Sequence, residues 1–147
     1  MKINVLCAIG NILKEEKFGA IPKNVTLMPF VPQLEVLSHA SYFLTHAGMG
    51  SAMETLNFGV PCVCVPTQGE QIANAMRLVE IGVASDCLMK ERLSVETLRG
   101  ALEKLMADST YTKNAQIYAN KMKLDGGAEA AAEKIVDFVN KTLKTHK

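Results

Sequence analysis

The stretch from Tyr42 to Val65 limits the possible folds most. Tyr42-Phe43-Leu44-Thr45 is a short apolar strand, followed by His46 and the loop Ala47-Gly48-Met49-Gly50. Ser51 then leads into a helix carrying Glu54, which Gly59 stops and Pro61 keeps from resuming. Cys62 to Val65 is apolar again. A helix between two short apolar strands reads as a crossover unit, which joins parallel strands. The same unit suits an anion. A helix N terminus offers N–H groups and partial positive charge, and glycines let the backbone come close. His46 adds a donor at the mouth, and Glu54 sits one turn inside the helix, where a carboxylate could take a sugar diol. The pattern points to a nucleotide or nucleotide-sugar site.

The rest of the chain repeats the alternation. Asn4 to Ile9 is a continuous apolar run ending at Gly10, as expected of a buried parallel strand. Asn11 to Lys23 reads as a loop, Val25 to Met28 as a strand, and Gln33 to His39 as a short helix after the Pro29–Pro32 turn. Beyond Val65, a helix is expected over Glu70–Ile81, with Ile72, Ala75, Met76 and Val79 on one side and Gly82 at its end. Val83 to Leu88 is a fifth strand. Ser94 caps a helix to about Met106, Asp108 or Ser109 starts another to about Leu124, and Gly126-Gly127 precedes a last one over Ala128–Leu143. These elements predict one α/β domain spanning 1–147. It is Rossmann-like, with a mainly parallel sheet, helices on both faces and a helical C-terminal tail. Ligands of such sheets bind beyond the carboxyl ends of the strands, and His46 and Glu70 both follow a strand end.

Composition narrows the function. Apolar residues make up 48% of the 147, which excludes a disordered chain. Sixteen basic against fifteen acidic residues leave a net charge of +1, which argues against a dedicated nucleic-acid binder. Only the tail Lys141–Lys147 is locally basic, and it reads as a solvated helix end. No apolar run is long enough to span a membrane, and Ile3–Ile9 is too short for a signal peptide. Cys7, Cys62, Cys64 and Cys87 all lie in strand-like segments without zinc or redox spacing, so they are expected to be buried thiols in a reducing cytosol. His39 and His146 read as surface residues, and Met49, Met53 and Met76 as core filler.

From Phe30 to Gln71 the chain resembles the signature region of UDP-dependent glycosyltransferases of GT-B fold, nearest in look to the bacterial macrolide- and flavonoid-type members. The matching pieces are Val31-Pro32-Gln33, Thr45 to Glu54 (T-H-A-G-M-G-S-A-M-E), Gly59-Val60-Pro61 and Glu70-Gln71. The similarity continues through Ile81–Ala84 to Gly126-Gly127-Ala128.

The resemblance implies a role for each matching position. Phe30 stands where the family often has a tryptophan beneath the uracil. Gln33 falls near the base or ribose, with the backbone beside it, at Val31, reading the uracil edge. His46 looks like the donor to the β-phosphate. Gly48, Gly50 and Ser51 fall in the phosphate-holding turn, although many plant members carry asparagine at the position of Gly50. Glu54 resembles the glutamate that takes the ribose hydroxyls. Glu70 and Gln71 match the pair that binds the transferred sugar, where aspartate is the commoner bacterial acid. No metal is expected, and no D-x-D carboxylate pair is present.

Plainer roles stand beside these. Phe30 could be core packing, Gln33 or Ser51 a helix cap, His46 a cap or a buried hydrogen-bonded histidine, and Glu54 an exposed helix residue. Glu70 and Gln71 could simply open their helix. The resemblance also implies that an acceptor-binding half is missing, together with its histidine base and the front strand, loop and helix of the donor half. The leading expectation is therefore a UDP-hexose-binding domain of an inverting glycosyltransferase acting on a small-molecule hydroxyl, inactive alone. Two alternatives are a subunit whose partner supplies the acceptor half and a non-catalytic nucleotide-binding module. A dinucleotide oxidoreductase is disfavoured, because Gly10 is followed by Asn11-Ile12-Leu13-Lys14 rather than a G-x-G-x-x-G turn.

Overall fold

The computed structural model describes residues 3–11 and 18–145. Ile12–Lys17 of the expected loop, and His146 and Lys147 of the basic tail, lie outside the described residues. The chain forms two compact units, Met1–His39 and Ala40–Lys147.

In the first unit, β1 (Val5–Ala8) and β2 (Val25–Met28) form a parallel pair with Val5 opposite Val25 and Ala8 opposite Met28. Helix α1 follows over Gln33–His39. The expectation of a buried first strand is overturned, since all four residues of β1 are exposed. An apolar run suits a parallel strand, but burial needs a layer over the sheet face. Among this unit's described residues only Leu37 is buried.

The second unit is a three-layer arrangement around a parallel sheet of order β3-β4-β5. The strands are Phe43–Thr45, Cys62–Cys64 and Ala84–Cys87. Five helices accompany them: α2 (Met49–Phe58), α3 (Gly69–Glu80), α4 (Val95–Ala107), α5 (Thr110–Leu124) and α6 (Gly127–Thr145). A short 3₁₀ turn at Lys90–Arg92 had no counterpart in the sequence reading. Hydrogen bonds thus make two parallel sheets rather than one, but the parallel alternation is as expected.

Strand β4 is central and fully buried. Its pleat sends Cys62 and Cys64 to one side, against Ala52 of α2, Ala75 and Leu78 of α3 and Ala115 of α5. Val63 goes to the other side, against Ala101 and Leu105 of α4 and Leu88. Helices therefore cover both faces. Small alanines dominate the first side, which lets the helices approach the short strands closely.

The helix ends follow the sequence signals. Gly59 closes α2 in the left-handed conformation at φ 66°. Ser94 caps α4, and its hydroxyl and that of Thr97 satisfy each other's backbone N–H. Helix α5 then ties two helix ends together. Gln116 Nε2 donates to Gly59 O at 3.0 Å, and Asn114 Nδ2 donates to Gly82 O at 3.1 Å.

Three expectations need correction. The buried face of α3 is Gln71, Ala75 and Leu78, while Met76 and Val79 are exposed. Residues 71, 75 and 78 recur at the helical period and make one face, so Met76 and Val79 fall on the outward side. Met49, Met53 and Met76 are all exposed rather than core filler. Of the cysteines, Cys62 and Cys64 are buried, Cys87 is half-buried and Cys7 is exposed on uncovered β1. His39 is on the surface, as expected. Helix α6 carries an exposed apolar stripe of Ile135, Val136, Phe138 and Val139. Among the described residues no helix is long and apolar enough to cross a membrane.

Candidate functional site

The turn between β3 and α2 is built around a strained residue. Ala47 has φ 60°, the only positive φ outside glycine among the described residues, and is completely buried. A left-handed alanine costs about 1–2 kcal/mol, so its surroundings must hold it there. They do so from both sides. Its N–H donates to Thr45 Oγ1 at 3.1 Å, and its carbonyl accepts from Asn74 Nδ2 of α3 at 3.1 Å. Its methyl is part of the core beside Cys62 and Cys64.

This kink delivers exposed His46 to the end of β3 and starts α2 at Met49. Gly48 lies between them as the N-cap residue, in an ordinary conformation with φ −58° and ψ 153°. Its missing side chain makes room for the imidazole, since a Cβ there would fall 2.6 Å from His46 Nε2. Gly50 differs, because a Cβ at that position meets only open space. Ser51 is the third residue of α2 and not its cap; its carbonyl accepts from Thr55 Oγ1 at 2.7 Å. Glu54 is half-buried one turn further along. The N–H groups of a helix's first turn point out of its end, so this end of α2 faces the space beside His46 with the positive pole of the helix.

Helix α3 brings in the second group. Exposed Glu70 accepts through Oε1 from the N–H of Met49 at 3.3 Å and from Asn74 Nδ2 at 3.3 Å. The acid expected at the sugar thus touches the first N–H of α2. Gln71 is buried, and its Oε1 accepts from the N–H and the hydroxyl of Thr67 at 2.8 and 2.9 Å, pinning the loop before α3. Sequence reasoning missed Asn74, which holds both Ala47 and Glu70.

The other nominated residues belong to the first unit. Phe30 is 76% exposed, so it is not core packing. Val31 is half-buried, and Gln33 is the first residue of α1. Beneath the site, Cys62 and Cys64 lie Sγ to Sγ at 3.8 Å. That hydrogen bond, burial and the Cys64 charge together push the Cys62 thiol well above its ordinary range. Among the described residues no three His, Cys, Asp or Glu side chains could hold a metal ion. A separate cavity of about 390 Å³ lies between the end of β5 and α4, lined among others by Asp86, Cys87, Arg92 and Lys104. None of the nominated residues lines it.

The family described as erythromycin biosynthesis protein CIII-like, C-terminal domain, matches residues 4–138. The chain belongs to that family. Among its relatives, an NDP-glycosyltransferase YjiC of Bacillus licheniformis is 40% identical over 138 residues, covering 94% of this chain and 35% of that protein. The glycosyltransferase of kitacinnamycin superposes with a TM-score of 0.82 at 32% identity, covering 91% of this chain and 34% of that one. The calicheamicin glycosyltransferase CalG4 gives 0.82 at 31%, covering 93% and 34%. The chain thus spans about a third of the length of the curated relatives it matches. It is a glycosyltransferase C-terminal domain, with the α/β architecture of the C-terminal half of a GT-B fold. Such a domain fits nucleotide-sugar binding, and the strained turn at Ala47 falls within the matched residues.

Proposed function

We propose that this domain binds the donor of an inverting glycosyltransferase, and that the donor is a UDP-hexose. The observation that carries the reading is the strained Ala47 turn, which sets the His46 ring against Gly48, the N-cap at the positive end of α2. Backbone strain held from two sides is characteristic of ligand-handling sites. In the transfer, an acceptor hydroxyl attacks the anomeric carbon from the face opposite the nucleotide. The bond from that carbon to the β-phosphate oxygen breaks, and UDP leaves with the electron pair. Negative charge grows on the β-phosphate, where His46 and the N–H groups of α2 stabilise it most in the transition state. Gly50 and Ser51 hold the phosphates, Glu54 takes the ribose hydroxyls, Glu70 faces the sugar, and Gln71, whose Oε1 is taken by Thr67, offers the sugar its amide Nε2. Phe30, Val31 and Gln33 serve the base.

No step in this scheme needs a metal. The acceptor, a small molecule with a free hydroxyl, and the base that deprotonates it come from an N-terminal half or a partner chain. The 147-residue chain alone therefore binds UDP but transfers no sugar. We place it in the cytosol, where reduced thiols persist.

Calorimetric titration of the purified chain with UDP and UDP-glucose, with TDP as competitor, tests this. Saturable UDP binding, weakened about tenfold or more by Glu54→Ala, is expected from the loss of charged hydrogen bonds. A folded chain that binds neither nucleotide overturns the donor-site reading. Equal affinity for UDP and UDP-glucose points instead to a nucleotide-binding module without sugar chemistry.

A further inference from the structure

We infer that Glu70 is a built-in competitor for the donor's diphosphate, seated at the N terminus of α2 until the phosphates displace it. The inference rests on the donor-site reading above. Its basis is a contact between two separate elements. Glu70 belongs to the first turn of α3, yet its Oε1 accepts from Met49 N–H, the first residue of α2, at 3.3 Å. A carboxylate there occupies a pole that favours anions. It is also guided there, because Asn74 Nδ2 reaches the same oxygen at 3.3 Å while anchored to the Ala47 carbonyl at 3.1 Å. The contact joins the starts of two helices whose contacting residues lie 21 positions apart in sequence.

A diphosphate and this carboxylate are like charges directed at the same N–H group, and both cannot sit on it. Binding of the phosphates therefore moves Glu70 off α2. The side chain is exposed, so it can swing without disturbing the core. Once displaced, it remains at the rim beside the phosphates, where it accepts from hydroxyls of an attached sugar. A nucleoside diphosphate lacking the sugar bears the cost of displacement and recovers nothing. A nucleotide sugar recovers it through those hydroxyls. The device thus biases the site towards donor and against the departing diphosphate, which favours product exchange after each transfer.

The test uses the 147-residue chain, Glu70→Gln, which keeps the shape and removes the charge, and Glu70→Ala, which removes both. Each is titrated calorimetrically with inorganic pyrophosphate, UDP and UDP-glucose. Freed from the competing carboxylate, both variants are expected to bind pyrophosphate and UDP about two- to fivefold more tightly, the size of one helix-terminal charge interaction. Their preference for UDP-glucose over UDP is expected to shrink. UDP bound by the parent chain, with equal or weaker affinity in both variants, overturns the competitor role and leaves the donor site standing. Absence of UDP binding in all three chains overturns the donor-site reading and this inference with it.

Discussion

Gly48→Ala separates the geometry of the turn from the stability of the fold. The backbone at Gly48 suits alanine, with φ −58° and ψ 153°. Only the His46 ring objects. The new Cβ would lie 2.6 Å from Nε2 and 3.3 Å from Cδ2, so the ring must retreat by about 0.8 Å to restore ordinary contact at 3.4 Å. His46 is exposed and can give way. Displacing it from a rotamer well costs about 0.5–1.5 kcal/mol. Alanine in place of glycine restricts the unfolded chain and returns about 0.4–1 kcal/mol. These terms nearly cancel, so the unfolding midpoint in urea should barely move.

Nucleotide affinity should move a great deal. A hydrogen bond to a charged group contributes about 1.5–3 kcal/mol, so losing the His46 contact to phosphate weakens UDP about 10- to 150-fold. His46→Ala should show the same loss. The decisive measurement is a double-mutant cycle by calorimetry. In the His46→Ala background, Gly48→Ala should cost nothing further, because no ring remains to be displaced. An undiminished second loss would refute the reasoning, since the effect would then pass through the backbone. Unchanged UDP affinity in Gly48→Ala alone would refute it equally, by showing that the ring does not act on the phosphate.

Two further predictions concern the frame. Gly59→Ala should destabilise the fold by about 2 kcal/mol or more in urea unfolding, because alanine resists the left-handed conformation at φ 66° and its Cβ would meet Gln116 Nε2 at 2.6 Å; a loss below about 0.5 kcal/mol would show that α5 yields freely. In titration with an aromatic disulfide reagent, exposed Cys7 should react first and half-buried Cys87 slowly, since burial and then the charges of Cys64 and Asp86 push its thiol up. Cys62 and Cys64 should react only on unfolding, and Cys7→Ser should abolish the fast phase. A fast phase that survives Cys7→Ser would contradict the burial pattern.

The sequence was legible where punctuation is local. Gly59 and Ser94 mark helix ends through their own backbone or hydroxyl chemistry, and both stand where expected. Strand β2 and helix α1 have the bounds read from the sequence, and the other elements shift by one to a few residues. Burial was less legible, because it depends on what lies above a face. The apolar residues of β1 look like core by composition yet are exposed, as is the stripe on α6. Met76 directly follows Ala75, and one helical step of about 100° turns it away from the buried face of Gln71, Ala75 and Leu78.

The site shows the same limit more sharply. Its motif was visible, but the residue that shapes the turn carries no sequence mark. Alanine rarely signals a left-handed conformation, and Asn74, which holds Ala47 in it, lies 27 residues further along the chain. The turn's two glycines both avoid positive φ. Their usefulness is therefore not conformational freedom but the absence of a side chain, and they differ even in that. Gly48 is required beneath the His46 ring, whereas Gly50 borders open space and would admit a larger residue without a clash. A motif of two glycines around one methionine thus hides one steric requirement and one permissive position. It also hides a strained alanine whose conformation is set by a helix that the motif does not contain.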